Sequence, residues 1–435
     1  MKIKPIAAAL LTLGTLSTAS VAVAGETEDR IADLERQLAE LKELVAGNQN
    51  NIQTNQADIE EARPSKKGTK FQYGGFIQLD AMGTNYSEGK PTFYASEDLL
   101  VASTIPVEPA SGKSDSYSTT NLHAKSSRFF FTTATDTDAG KVSTRVELDF
   151  ILSGEDNDER ISNSWNSRLR HAFVKWDYAE NSSILAGQSW STFFNVGALP
   201  NQLDFVGPVG TIFNRQPQIR WTMGGLQLAV ENAATRLNGI AWDDSHEGLP
   251  DFVARYNGKA GDLAWSIAGI ARELSYEDRT DPSVEAGEDQ QYGYGLSLSG
   301  KWMLGKDDLR FMANYGDALG RYMGLNTFND GYIDMNGDIE TIDQWGAFIS
   351  YQHYWAAQWR SSFTLSASGA DNPSVSEYAG ADSLAKAYQS FHANLNYLPT
   401  PKMSIGGELI YANKEIEDGR DGDFSRLQFA VKYAF

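Results

Sequence analysis

Apolar and polar residues alternate along the last ten residues of the chain, 426–435. This period of two is typical of a β-strand with one apolar face and one polar face. A strand of about ten residues can cross an outer membrane at a tilt, and spanning strands must close into a barrel because lipid cannot pair a free strand edge. The segment therefore predicts a transmembrane barrel, with a strand of a soluble sandwich as the alternative. Its apolar positions are Leu427, Phe429, Val431, Tyr433 and Phe435.

The same alternation recurs in sixteen segments, and the connections between them alternate in length. Short turns such as Gly224-Gly225 follow even-numbered segments, whereas longer, more acidic stretches such as 153–166 follow odd-numbered ones. Outer-membrane barrels have this pattern, with short periplasmic turns and long external loops. We predict an all-β, 16-stranded antiparallel transmembrane β-barrel over residues 71–435, with a water-filled lumen. The predicted strands are 71–82, 126–134, 141–152, 167–178, 183–190, 216–223, 226–234, 250–258, 262–273, 290–303, 308–316, 341–356, 358–369, 384–398, 402–414 and 424–435.

The first 24 residues have the features of a signal peptide. Lys2 and Lys4 precede an apolar run, and Ala22-Val23-Ala24 provides a small-residue cleavage site. The run is too short for a membrane anchor. We therefore predict that residues 1–24 are removed on export.

Residues 25–63 carry five heptads without interruption. Two of the d positions are Asn48 and Asn55, and buried asparagine fixes register and oligomeric state. We predict a periplasmic α-helical coiled coil that joins three copies, followed by a linker at 64–70; the alternative is a solvated single helix or a disordered leader. The a positions are Ile31, Leu38, Val45, Ile52 and Ile59.

Charged residues on the predicted strands occupy the parity opposite to the apolar residues. Arg145, Glu147 and Asp149 alternate with Val146 and Leu148. A charge in mid-bilayer costs about 2–4 kcal/mol, so the charged set faces the lumen. The same argument predicts eight arginines along the solute path: Arg128, Arg145, Arg168, Arg170, Arg220, Arg255, Arg310 and Arg360.

The fourth strand does not follow this rule exactly. Arg168 and Arg170 share parity with the apolar Val174 and Trp176, so we expect either a bulge in this strand or entry of the strand into the lower rim of the barrel. With few inward acids, the lumen is predicted to be net basic, and arginine rings in a pore favour anions. For any single arginine, the alternative to a role in anion passage is that it only pairs with a neighbouring acid and stabilises the wall.

The long connection at 191–215 is the predicted constriction, because such a loop can fold into the lumen. Its candidate pore-lining residues are Asn195, Asp204, Asn214 and Arg215.

Composition excludes several other classes of function. A formal charge of −20 argues against a nucleic-acid partner, and the five histidines form no recognisable catalytic set. We predict no enzyme activity, no metal ion and no cofactor. The segment 334–338 has the oxygen spacing of a calcium loop, but Ile339 stands where glycine is required.

Several motifs together resemble the DcaP-like trimeric outer-membrane porins. These are the runs 71–80, 127–131, 168–174 and 186–193, combined with the coiled coil and the terminal Phe435. The resemblance implies a homotrimer in the Gram-negative outer membrane that contacts lipid and takes up dicarboxylates and other small anions. Phe435 also resembles the signal that the outer-membrane barrel assembly machinery reads. A nonselective general porin and a structural anchor or adhesin remain as alternatives.

Overall fold

The computed structural model describes residues 68–112, 114–152, 162–240, 245–246, 248–277 and 288–435. The predicted signal peptide, the coiled coil and most of the linker lie outside these residues. The barrel lies in the unit Thr69–Phe435.

Sixteen strands form the wall, which confirms the predicted fold class and strand number. Their bounds are β1 Thr69–Tyr86, β2 Arg128–Thr137, β3 Gly140–Asp149, β4 Arg168–Ala179, β5 Ser182–Trp190, β6 Arg215–Met223, β7 Leu226–Glu231, β8 Asp251–Ala260, β9 Leu263–Glu277, β10 Glu288–Leu304, β11 Asp307–Asp317, β12 Asp343–Ala356, β13 Trp359–Asp371, β14 Ala385–Thr400, β15 Met403–Ile416 and β16 Asp421–Ala434.

Each wall strand pairs in antiparallel fashion with its neighbours in sequence, and the ring closes between β1 and β16. Phe76 of β1 lies opposite Arg128 of β2 on one side and opposite Ala434 of β16 on the other. Closure leaves no strand edge exposed to lipid. No helix in the described ranges is long and apolar enough to cross a membrane.

Two-residue turns join the strands at one end of the barrel, which we call the turn end. The connections at the opposite, loop end, given by their residue numbers, are L1 87–127, L2 150–167, L3 191–214, L4 232–250, L6 318–342, L7 372–384 and L8 417–420, of which L1, L2 and L4 are described in part. L5, 278–287, lies outside the described residues. The described connections contain short elements, namely the strands Tyr117–His123, Leu237–Asn238, Ser245–His246, Gly331–Ile333 and Ile339–Thr341 and the 3-10 helices Tyr94–Glu97, Ala102–Thr104, Val196–Ala198, Gly324–Asn326 and Ala381–Ser383.

Side chains on β16 alternate between the two surfaces of the wall. Phe429 is 54% exposed on the outer surface, whereas Arg426 and Gln428 are each 2% exposed on the inner surface. The apolar face is therefore turned toward lipid, as the alternation in the sequence predicts.

β4 contains a bulge, which is one of the two explanations that its sequence pattern allows. Glu147 of β3 lies opposite His171, but the next residue, Leu148, lies opposite Leu169. The extra residue, Arg170, shifts the parity of the strand. Arg168 and Arg170 therefore point inward, while Val174 remains exposed on the outer surface.

Three loops occupy part of the barrel interior, whereas the sequence predicts infolding of the connection 191–215 alone. L1, L3 and L6 fold inward and pack in one hydrophobic cluster. Inward-facing apolar residues of the wall, such as Val253, Ile270, Met312 and Phe348, belong to the same cluster. Burial of this apolar surface draws the three loops into the barrel.

Candidate pore constriction and its arginines

L3 crosses the lumen and is held by polar side chains of the wall. Near its start, Glu231 accepts a hydrogen bond from Thr192 N at 2.6 Å. Further along, Asn201 Nδ2 donates to Gln352 Oε1 of β12 at 2.6 Å, and Asn394 Nδ2 of β14 donates to Asn201 O at 2.8 Å. L3 therefore spans from β7 to the strands on the opposite side of the barrel.

The tip of L3 is fixed at both backbone groups of one residue, Leu203. Its N–H donates to Glu408 Oε2 at 2.6 Å, and its carbonyl accepts from Gln428 Nε2 at 3.3 Å. Glu408 also contacts His392 Nδ1 at 3.0 Å, and both side chains are fully buried. The buried Glu408 side chain contacts both His392 and the Leu203 N–H, so this network holds the loop tip in one position.

On its return, L3 lies flat against the wall at Gly210. This residue has φ of +73°, and a Cβ there would lie 2.6 Å from the Ala367 carbonyl oxygen. Asn314 Nδ2 donates to the Gly210 carbonyl at 2.9 Å. Only glycine permits both the backbone angle and this close approach.

Three of the eight predicted arginines donate to backbone carbonyls near or within L3. Arg255 Nη1 donates to Phe194 O at 2.7 Å, and Arg310 Nη1 donates to Leu199 O at 2.5 Å. Arg220 Nη2 donates to Trp190 O immediately before L3 begins. These three arginines hold L3 in place. The backbone carbonyls that accept their hydrogen bonds compensate part of their positive charge.

Four other predicted arginines converge on two acids of β3. Glu147 bonds Arg145 and Arg170, and Arg128 Nε lies 3.5 Å from Glu147 Oε1. Asp149 accepts hydrogen bonds from Arg168 Nε at 2.9 Å and from Arg170 Nη1 at 2.5 Å. We call this group the arginine cluster; its formal charge is positive because four guanidinium groups face two carboxylates. The two acids therefore compensate part of the positive charge of the cluster.

Arg360, the eighth predicted arginine, lies beneath L3 with a second cation, Lys432. Both line a small cavity of about 70 Å³, together with Gln78, Asn201 and Gln202. Neither cation forms a salt bridge within the described ranges, and Arg360 Nε is buried without a partner. We call this space the lumen cavity.

The predicted constriction residues have different environments. Asn195 Nδ2 donates to Ser299 of β10 at 3.0 Å, and Asn214 Nδ2 donates to Gln216 at 3.0 Å. Asp204 is buried and accepts a hydrogen bond from Leu100 N of L1 at 3.0 Å, so it joins two loops and does not face open space. Burial raises the pKa of the Asp204 carboxyl above its ordinary value, and the charge of Arg426 opposes this rise.

Arg215, the fourth predicted constriction residue, stacks on an aromatic ring. Its guanidinium carbon lies 4.5 Å from the centre of the Trp190 ring. Its Nη1 is buried without a hydrogen-bond partner among the described residues.

Comparison with known proteins places the chain in a family. The family model for the DcaP outer membrane protein matches residues 16–435. The chain belongs to the DcaP outer membrane protein family. The protein is therefore an outer-membrane protein. No curated protein matches the chain.

Solved structures similar to this DcaP family member support the barrel fold. The outer membrane channel DcaP of Acinetobacter baumannii is 20% identical, with a TM-score of 0.68 over 85% of this chain and 99% of that chain. OmpT of Vibrio cholerae in its trimer form is 11% identical, with a TM-score of 0.52 over 85% and 100%. OmpF of Salmonella typhi is 11% identical, with a TM-score of 0.52 over 85% and 98%.

Two contributors to the lumen cavity of this DcaP family member were not among the predicted solute-path residues. The alternation along β16 places Lys432 on the inward face, but it does not show that Lys432 lies beside Arg360. Gln202 has both side-chain polar atoms buried without a partner in the described structure. No strand pattern predicts Gln202, because it lies on L3.

The described ranges of this family member contain no group of three or more potential metal ligands. Ser390 Oγ contacts Ser366 Oγ at 2.6 Å and accepts from Val209 N of L3, while His392 pairs with Glu408. These residues hold L3 against the wall.

Proposed function

We propose that the protein is an outer-membrane diffusion channel for small anionic solutes, with dicarboxylates as the preferred class. The observation that carries this proposal is the lumen cavity, where Arg360 and Lys432 lie together without a carboxylate partner among the described residues. A positive site beside the loop that crosses the lumen attracts anions where the passage is narrowest.

The two cations suit carboxylates for different reasons. The guanidinium of Arg360 is a planar fork that can donate two parallel hydrogen bonds to one carboxylate. Lys432 carries a compact charge, and its Nζ lies 4.3 Å from the centre of the Phe76 ring. Two cations at one cavity can engage both ends of a dicarboxylate, which supports this solute class together with the family resemblance.

The arginine cluster extends the positive potential above this cavity. The guanidinium carbon of Arg128 lies 5.2 Å from the ring centre of Phe76, which Lys432 also contacts. A solute can therefore pass from the surplus charge of the cluster to the lumen cavity. Several weak sites along one path favour passage over trapping.

A nonselective porin is the second candidate, and the acids of the cluster favour it. Glu147 and Asp149 together bond all four arginines of that group. If they cancel its potential, only the lumen cavity distinguishes anions from cations.

Neutralising the lumen cavity tests the two candidates. We expect the double variant Arg360→Gln and Lys432→Gln to lower the chloride-to-potassium permeability ratio at least about twofold, because the unpaired cations are removed. The ratio comes from zero-current potentials in planar bilayers. The control, Lys386→Gln with Lys402→Gln, removes the same charge from exposed positions. An unchanged ratio in the first variant would contradict the proposal.

We also propose that three copies assemble, with the turn end in the periplasm. The heptads at 25–63 support this assembly. Native mass measurement on detergent-extracted protein is expected to give three copies. A monodisperse monomer or dimer would contradict it.

A further inference from the structure

A second cavity, of about 540 Å³, lies at the loop end between L1, L3 and L6. We call it the loop cavity. Its size is within the range of sites that bind small organic molecules. Most of its lining is apolar, and it includes Phe93, Leu99, Val101, Phe205, Phe213 and Leu325.

The lining of the loop cavity also includes two guanidinium groups, those of Arg168 and Arg215. Arg168 is bound by Asp149 through Nε and Nη2, at 2.9 and 3.0 Å. Arg215 has no hydrogen bond or salt bridge from its side chain among the described residues, although its Nη1 is buried. Its observed side-chain contact is the face of Trp190 at 4.5 Å.

A cation that has no hydrogen-bond or salt-bridge partner among the described residues, in a mostly apolar cavity, favours an anionic ligand. Burying a charge without a partner is costly, and a bound carboxylate would remove that cost for Arg215. Trp190 holds the guanidinium plane by stacking, which leaves its N–H edge available for the carboxylate.

The loop cavity differs in chemistry from the lumen cavity. The lumen cavity is small and lined by amides with two cations, so it suits a compact, fully polar anion. The loop cavity is larger and offers aromatic surface beside its cations. A ligand that satisfies both features must combine one anionic group with an apolar body.

We propose that the loop cavity binds organic monoanions with an apolar body, of the arylalkyl carboxylate class. The carboxylate contacts Arg215 and Arg168, and the apolar body packs against Phe93 and Phe213. This site deepens the proposed function and rests on it, because it gives the anion channel a recognition site at its loop end.

Binding of 3-phenylpropanoate to the detergent-extracted full-length protein tests the site, measured by isothermal titration calorimetry. Acetate keeps the charge without the body, and 3-phenylpropanamide keeps the body without the charge. We expect 3-phenylpropanoate to bind at least about tenfold more tightly than either compound, since only it uses both features. Equal affinity of all three compounds would overturn the proposal.

Variants of Arg215 locate the site. Arg215→Gln is expected to weaken 3-phenylpropanoate binding at least about tenfold, whereas Arg215→Lys, which keeps the charge, retains part of the affinity. Heat-dependent gel mobility verifies that each barrel is folded. Unchanged binding in folded Arg215→Gln would overturn the assignment.

The double variant Arg360→Gln and Lys432→Gln separates this proposal from the proposed function. It is expected to lose anion preference while binding 3-phenylpropanoate as the unchanged protein does. An unchanged protein that prefers anions but does not bind 3-phenylpropanoate would overturn the loop-cavity proposal alone. Binding without anion preference would overturn the proposed function and leave the binding site in place.

Discussion

Shortening L3 is expected to raise the single-channel conductance at least about twofold, because L3 crosses the lumen. Its contacts extend from Arg255 of β8 to Gln428 of β16. Replacing residues 197–209 with a short Gly-Ser link would remove the segment that contacts β12, β14 and β15. Conductance in symmetrical potassium chloride is the measurement.

L7 provides the matched control for this deletion. Its residues 374–377 are exposed at the loop end, so shortening L7 there is expected to leave the conductance unchanged. Heat-dependent gel mobility establishes that both shortened barrels are folded. If the L3 deletion conducts as the unchanged protein does, the constriction lies elsewhere.

Replacing Glu147 with Gln is expected to destabilise the barrel by about 3 kcal/mol, because it removes one of the two carboxylates that compensate the buried positive charge of the arginine cluster. Glu147 contacts three guanidinium groups, and one of them, Arg170, is 2% exposed. Urea-induced unfolding in detergent or lipid measures the loss. The same change removes a negative charge from the lumen, so the surviving channels are expected to be more anion-selective.

Glu415→Gln is the control for the change at Glu147. Glu415 pairs with Lys386 at 3.0 Å, and both side chains are exposed. An exposed pair contributes at most about 1 kcal/mol, so this variant is expected to unfold nearly as the unchanged protein does. Similar effects of the two substitutions would contradict a supporting role for the arginine cluster.

Alternation of apolar and polar residues was sufficient to predict the wall. The face of each strand that contacts lipid must be apolar. The alternation is therefore clear wherever the outer and inner surfaces of the wall differ in polarity. It identified all sixteen strands, and the conflict between Arg170 and Val174 indicated the bulge in β4. The bounds differ by a few residues; for example, β1 extends to Tyr86.

The contacts inside the barrel were less predictable than the wall. The position of a residue in the alternation shows which surface of the wall it faces, but not which group it contacts there. Arg255 and Arg310 face inward as expected, yet they donate to backbone carbonyls of L3, which no side-chain pattern reveals. Met312 and Phe348 also face inward and are apolar, because loops cover them there. The infolding of L1 and L6 depends on such long-range packing, which the alternation within one strand does not encode.

The zero-current potential of the unchanged protein in a potassium chloride gradient tests the central claim most directly. Arg360 and Lys432 share a cavity and form no salt bridge within the described ranges, so they predict a potential whose sign indicates preference for chloride over potassium. Addition of a dicarboxylate such as succinate is expected to lower the chloride current by competition at the lumen cavity. A potential whose sign indicates cation preference would contradict the account.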